Sequence, residues 1–122
     1  MTELTEEQLD HYKNKGYISP INALSPSEAK EIRDEIEKIE KNWPGALEGI
    51  NRNYVHLISP IFNKVCLNKN ILDAVESIIG KNILICGTTL FIKNHNEKGF
   101  VSFHQDATYI GLEHNKLYLI HI

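Results

Sequence analysis

The hydrophobic pattern of the chain changes at Gly80, and this change sets the order in which its elements can form. Before Gly80, apolar residues recur at spacings of three and four, which is the period of an amphipathic helix. After it, the run "NILICGTTLFIKN" at 82–94 is rich in β-branched and apolar residues, as strands are. The sequence therefore predicts an α+β fold in a single domain 1–122, mainly helical over 1–80 and mainly strands over 81–122.

Two capping boxes mark the starts of the first two helices. Thr5 is followed three residues later by Gln8, and Ser25 is followed three residues later by Glu28. In such a box the hydroxyl accepts from a backbone N–H of the first turn, and the longer side chain reaches back. The pattern predicts one helix that ends at Gly16 and a second that runs from Ser25 to about residue 42.

The second helix has one apolar stripe and one charged face. Its stripe is formed by the apolar residues Ala29, Ile32, Ile36, Ile39 and Trp43. The charged residues between them are typical of a solvated face, so the stripe is expected to pack into the core.

The later elements are read from turn and capping signals. A short strand is predicted over 54–58, a helical turn from Ser59-Pro60, and a helix over 71–79 that Asn70 caps and Gly80 ends. Two further strands are predicted at "GFVSFHQD", 99–106, and "KLYLIHI", 116–122.

Composition excludes several classes of partner. The chain has 122 residues, 24% of them charged, and a net charge of −3, with its positive charges scattered. A nucleic-acid footprint is therefore not expected. No apolar run approaches the roughly 18 residues of a membrane span, so no membrane association is expected. The acidic N-terminus is unlike a signal peptide, and the cysteines Cys66 and Cys86 have no metal-site spacing, so a cytoplasmic location is expected.

A histidine and an aspartate two residues apart form the candidate site. On a strand, His104 and Asp106 would share one face, with Cα atoms about 6.5 Å apart. An imidazole and a carboxylate aimed at one point are two-thirds of the 2-His-1-carboxylate triad of non-heme iron oxygenases. Zinc or manganese would suit the same ligand types, and a hydrogen-bonded histidine–aspartate pair on a sheet face is the structural alternative.

The residues around this pair resemble a known family. "GFVSFHQDATYIGL" resembles the iron-binding segment of the phytanoyl-CoA dioxygenases, in which H-Q-D precedes a small residue, threonine, tyrosine and glycine-leucine. Upstream, "LTEEQLDHYKNKGYISPINALSPSEAKEIRDEIE", "NKNILDAVESIIG" and "LFIKNHNEKG" resemble that family's helices and strand in the same order. The resemblance covers nearly the whole chain, and the H-Q-D segment is its specific part.

The resemblance implies a fold, two cofactors and a set of site residues. It implies the first strands of a double-stranded β-helix, a jelly-roll or cupin-like barrel, behind N-terminal helices. It implies Fe(II) and 2-oxoglutarate, with His104 and Asp106 as iron ligands and hydroxylation of a small organic or acyl substrate. An aspartate at position 106 indicates hydroxylation, since related halogenases carry a small residue there. Lys93 and Gln105 match positions near the cosubstrate or substrate, and Tyr109 either lines the pocket or packs in the core.

The family's second metal histidine and its 2-oxoglutarate arginine lie beyond the region that the chain resembles. Of the downstream histidines, His114 is expected in a polar turn and His121 in a packing role. We therefore expect the N-terminal part of a larger dioxygenase, as a gene fragment, a truncated form or a degenerate copy, inactive alone.

The alternative is a non-catalytic remnant that acts as a binding or self-assembly module. An incomplete sheet would leave strand edges unpaired, and "KLYLIHI" is the expected exposed element. A homodimer or larger assembly through that open sheet is therefore predicted.

Overall fold

The computed structural model describes residues 3–93, 95–111 and 117–122. The chain divides into two compact units, Met1–Phe91 and Ile92–Ile122. Over its described residues, the first unit contains a 3₁₀ turn, Gly49–Arg52, and five helices: α1 (Glu6–Lys15), α2 (Pro26–Asn42), α3 (Val55–Ile58), α4 (Pro60–Cys66) and α5 (Lys69–Ile79). In the described part of the second unit there is one helical turn, α6 (Ala107–Ile110). None of the helices described is both long and apolar enough to cross a membrane.

Both predicted capping boxes are confirmed. The backbone N–H of Gln8 donates to Thr5 Oγ1 at 3.2 Å, and the N–H of Thr5 donates to Gln8 Oε1 at 2.9 Å. Ser25 and Glu28 make the same reciprocal pair at 3.2 and 2.8 Å. Gly16 ends α1 with a φ of 78°, a left-handed conformation that favours glycine.

The apolar stripe of α2 packs onto the core of the first unit. The buried residues of this core are Leu47, Val55 and Phe62. The partly buried residues packed against them include Ile32, Ile36 and Ile39 of the stripe, together with Ile61 and Leu90. The predicted ends of the stripe do not take part, because Ala29 and Trp43 are exposed.

The region between α2 and α5 is more helical than predicted. The strand expected over 54–58 is wrong, because Val55–Ile58 forms the short helix α3. The turn that begins at Pro60 is confirmed as the start of α4. α5 begins earlier than predicted, because Asn68 rather than Asn70 caps it: its Oδ1 accepts from the N–H of Asn70 at 2.9 Å.

The predicted α+β fold with the first strands of a double-stranded β-helix is contradicted. Half of the structure (50%) is helical, 2% is strand, and no sheet forms among the described residues. In the described parts of 82–94, 99–106 and 116–122 the backbone is irregular, apart from one isolated bridge between Asn53 and Thr89. β-branched composition raises strand propensity, but a strand exists only where a neighbouring strand accepts its hydrogen bonds. Because the described residues form no sheet, they also lack the open sheet edge on which the predicted homodimer or larger assembly depended.

The segment after Gly80 is joined to the helical part by a short backbone pairing. The N–H of Tyr54 donates to the carbonyl of Thr88 at 2.7 Å, and the N–H of Leu90 donates to the carbonyl of Arg52 at 3.0 Å. Tyr54 adopts a positive φ of 56°. A Cβ at Gly87 would lie 3.2 Å from Tyr54 Cε1, so the tyrosine ring covers this glycine closely. This pairing holds residues 87–90 against residues 52–54 within the first unit, without a sheet.

Replacing Phe62 by alanine tests the core. Phe62 is 6% exposed and packs in the α2–α3–α4 cluster, so Phe62→Ala removes apolar contacts and leaves a cavity. We expect it to lower the free energy of unfolding by about 3 to 5 kcal/mol, measured by urea denaturation. Leu57→Ala is the matched control, since Leu57 is 72% exposed in the neighbouring helix, and a change within about 0.5 kcal/mol is expected. An equal effect of the two substitutions would contradict this core assignment.

Candidate metal centre

His104 and Asp106 meet in the second unit, although not on a sheet face. His104 Nε2 lies 3.0 Å from Asp106 Oδ1, and each side chain is 35% exposed. The backbone at His104 is irregular, and Asp106 already has helical angles, with φ −61° and ψ −32°. The convergence predicted from strand alternation therefore occurs, but a bend and the start of a helical turn produce it.

The turn that carries Asp106 is short and sharply ended. The N–H of Thr108 donates to the carbonyl of Gln105 at 3.1 Å, and the N–H of Tyr109 donates to that of Asp106 at 2.9 Å. Gly111 follows with a φ of 67°, a left-handed conformation that ends helices. The helical turn α6 was not predicted, because the threonine, tyrosine and isoleucine within it favour strands.

Both ring nitrogens of His104 face oxygen acceptors. Nδ1 lies 2.7 Å from the carbonyl oxygen of Ser102, and Nε2 faces the Asp106 carboxylate. A neutral imidazole has one N–H and can donate to one of them, whereas an imidazolium donates to both. The hydrogen bond to the Ser102 carbonyl, followed by the hydrogen bond and charge of Asp106, raises the pKa of His104 above its ordinary value of 6.5. Sequence gives no signal for the part played by Ser102, since every residue has a backbone carbonyl.

The pair fits a divalent metal ion as part of a ligand set. Two ligands about 2.1 Å from one cation and at right angles to each other lie about 3.0 Å apart, and the Nε2–Oδ1 separation is 3.0 Å. A neutral histidine with its Nδ1–H held by a carbonyl is the form in which metal-ligating histidines are usually oriented. Within the described residues, no group of three or more His, Cys, Asp or Glu side chains is placed to hold a metal. The described residues thus bring together two side chains of the types that bind metal ions.

Of the other residues predicted for the site, Tyr109 has a described contact with this pair, and Lys93 and Gln105 have none. Lys93 and Gln105 are exposed, and among the described contacts neither forms a hydrogen bond or ion pair with the His104 or Asp106 side chain. Tyr109 is 75% exposed, and its ring centroid lies 6.0 Å from that of His104. His114 lies outside the described residues, and His121, expected to be partly buried, is exposed.

Titration of His104 in the metal-free chain tests this geometry. Because both contacts favour the protonated ring, its titration midpoint by NMR is expected above 6.5. Asp106→Ala removes one acceptor and its charge, so the midpoint should fall, but it should stay above 6.5 because the Ser102 carbonyl remains. Asp10→Ala, a substitution of the same kind in α1, should leave it unchanged. A midpoint that Asp106→Ala does not move would contradict the observed contact.

A comparison with protein families places this pair in a known context. The family model described as "Phytanoyl-CoA dioxygenase (PhyH)" matches residues 12–119, which is most of the chain and includes both His104 and Asp106. Searches of curated proteins and of solved structures gave no significant match. Proteins of the matched family generally use Fe(II) and 2-oxoglutarate. The extent of the match shows that the chain belongs to the phytanoyl-CoA dioxygenase family.

Proposed function

We propose that His104 and Asp106 are two protein ligands of Fe(II) in a 2-oxoglutarate-dependent dioxygenase that hydroxylates a small organic or acyl substrate. The observation that carries this proposal is the 3.0 Å approach of His104 Nε2 to Asp106 Oδ1 inside the segment that the family model matches. A histidine and a carboxylate with open positions beside them are the ligand types of non-heme iron oxygenases.

Each side chain of the pair has a separate task in this proposal. The Ser102 carbonyl keeps the proton on Nδ1 of His104, so that Nε2 is the nitrogen presented to the metal. The Asp106 carboxylate supplies a negative charge that offsets part of the charge of a divalent cation. Fe(II) bound there supplies the oxidative chemistry that consumes O₂ and 2-oxoglutarate. Because Asp106 is itself a ligand, it fills the position at which a halogenase binds its halide, and this favours hydroxylation.

Two further residues are proposed to bind the cosubstrate or substrate, and a third is proposed to line the substrate pocket. The Lys93 ammonium is exposed and therefore accessible to a carboxylate such as those of 2-oxoglutarate. Gln105, between the two ligands in sequence, offers an amide that both donates and accepts. Tyr109 is exposed, which suits the pocket role rather than the core role proposed for it.

A reducing compartment is the cellular setting that we propose for this activity. A reducing compartment such as the cytoplasm keeps iron ferrous and keeps the free thiols Cys66 and Cys86 reduced. We further propose that residues 1–122 act as a single functional domain.

Metal binding by the purified chain tests the proposed ligands. Mn(II) is a suitable probe, because it accepts carboxylate and imidazole ligands and its free ion is read directly by electron paramagnetic resonance. We expect His104→Ala and Asp106→Ala each to weaken Mn(II) binding by at least about tenfold, since each removes one of two ligands. His95→Ala, which removes an exposed histidine of the same unit, should change the affinity less than twofold.

The pH dependence of the same binding supplies a second check. The proton on Nε2 must leave before a metal binds, so the affinity should fall as the pH is lowered through the raised pKa of His104. Affinity that is independent of His104 and Asp106 would contradict the ligand assignment.

Turnover of 2-oxoglutarate tests the extent of the activity. Two protein ligands hold iron less rigidly than three, and catalysis of this class depends on fixed geometry. With Fe(II), ascorbate, O₂ and 2-oxoglutarate, the chain of 122 residues should form succinate no faster than iron alone. Succinate that the native chain forms and His104→Ala does not would overturn this expectation. It would show that this chain assembles a complete site, alone or with a second copy.

A non-catalytic self-assembly module is the second candidate function. The observation that favours it is the set of large apolar side chains that the second unit leaves exposed, among them Phe100, Val101 and Phe103. Exposed apolar clusters are common at contacts between proteins. We propose that these side chains mediate association of two or more copies. Light scattering at micromolar concentration should then give a mass above 14.0 kDa, and Phe103→Ser should lower it. A uniform monomer would contradict self-assembly without affecting the metal proposal.

A further inference from the structure

Tyr109 is placed beside His104 by the short turn between them. α6 begins directly after Asp106, and the hydrogen bond from the Tyr109 N–H to the Asp106 carbonyl closes this turn at 2.9 Å. Residues three apart in such a turn lie on the same side of it, so Tyr109 lies on the side of Asp106, whose carboxylate contacts His104. The Tyr109 and His104 rings meet edge to face, with centroids 6.0 Å apart and planes at 66°.

The contact with His104 is not a by-product of core packing. Tyr109 is 75% exposed, so burial does not fix the orientation of its ring. Aromatic pairs in an edge-to-face arrangement attract each other through the quadrupoles of their rings. Among the described contacts, this edge-to-face attraction is therefore the one that joins the exposed tyrosine ring to the proposed site.

The two hydrogen bonds of His104 leave one motion of its ring weakly restrained. The Nδ1 contact with Ser102 and the Nε2 contact with Asp106 hold the ring at its two nitrogens. Hydrogen bonds of this kind tolerate some tilting of the ring about the line that joins the two nitrogens. A second ring packed edge to face opposes that tilt, because tilting separates the two rings.

We propose that Tyr109 is a positioning residue for His104, which holds the imidazole plane so that Nε2 and Asp106 Oδ1 face one metal ion. This inference rests on the proposed function, since it assigns Tyr109 a role at the same metal site. In this role the aromatic ring is needed and the phenol oxygen is not. Phenylalanine at this position should therefore still hold the His104 ring in place, whereas alanine should not.

The chain has its own control for this contact. In the first unit, His11 and Tyr17 form an edge-to-face pair with centroids 5.3 Å apart and planes at 90°. Position 13, two residues after His11, is a lysine rather than an aspartate, so this pair lacks the second ligand. Tyr17→Ala therefore removes an equivalent aromatic contact away from the proposed site.

The experiment combines a metal-free and a metal-bound measurement on the full chain. In the metal-free chain, NMR should show cross-relaxation between the ring protons of His104 and residue 109, retained in Tyr109→Phe. In Tyr109→Ala the His104 ring signals should shift toward those of a free histidine. For Mn(II), Tyr109→Phe should bind within about twofold of the native chain, and Tyr109→Ala about threefold to tenfold more weakly. Tyr17→Ala should bind as the native chain does.

The two measurements separate failure of this inference from failure of the proposed function. Native binding of Mn(II) that Tyr109→Ala leaves unchanged overturns the positioning role, and so does weakening in Tyr109→Phe equal to that in Tyr109→Ala. Absence of Mn(II) binding by the native chain refutes the proposed ligand pair. In that case the metal-free NMR result decides whether Tyr109 orients His104, and ring signals of His104 unchanged in Tyr109→Ala refute it.

Discussion

The first unit depends on the burial of one helical stripe. Ile32, Ile36 and Ile39 lie on one side of α2 and pack against the cluster that Val55 and Phe62 help to form. α2 is otherwise covered by charged residues, which pair with each other along its surface, as Arg33 does with Glu37 at 2.9 Å and i,i+4 spacing. Exposed pairs of this kind contribute little to stability, so the apolar stripe is what fixes α2 against α3 and α4.

This core in turn orients the loop that receives the segment after Gly80. Val55, the most deeply buried residue of the cluster, directly follows Tyr54, whose N–H bonds to Thr88. The side chain of His56 adds a second link, with Nδ1 2.8 Å from the Thr88 hydroxyl. Tyr54 and His56 therefore contact residue 88, while Val55 between them packs into the core. One short stretch of sequence serves both the packing of the helices and the attachment of the following segment.

The first two helices were predictable because their signals are local. The reciprocal bonds of Thr5 with Gln8 and of Ser25 with Glu28 involve residues within one turn of each other, and the sequence specifies them completely. The stripe of α2 follows from its period alone. Strands differ, because their hydrogen bonds need partners distant in sequence. The composition of a run such as 82–94 does not indicate which other segment it would pair with. Composition therefore predicted a sheet that the described residues do not form.

The contact between His104 and Asp106 was predictable from the sequence, but the backbone geometry that produces it was not. The spacing of His104 and Asp106 indicated that their side chains would meet, and they do so at 3.0 Å. The reason given, strand alternation, was wrong, since α6 begins at this point. Side chains two residues apart can meet on one face of a strand, and they can also meet where the backbone bends into a helical turn. The position of Tyr109 beside His104 depends on the helical turn. Because a strand was predicted around His104, the sequence did not decide whether Tyr109 lines the pocket or packs in the core.

The anchor of the His104 ring has a consequence for how this site can vary among relatives. The group that accepts from Nδ1 is the main-chain oxygen of Ser102, which every amino acid at that position would also provide. Selection on the ring's orientation therefore acts on the path of the backbone and leaves the identity of residue 102 free to drift. Asp106 has no such freedom, because its contribution comes from the carboxylate itself. Relatives with the same geometry should thus keep the histidine and the aspartate while position 102 varies, so that half of the support for this histidine leaves no trace in an alignment.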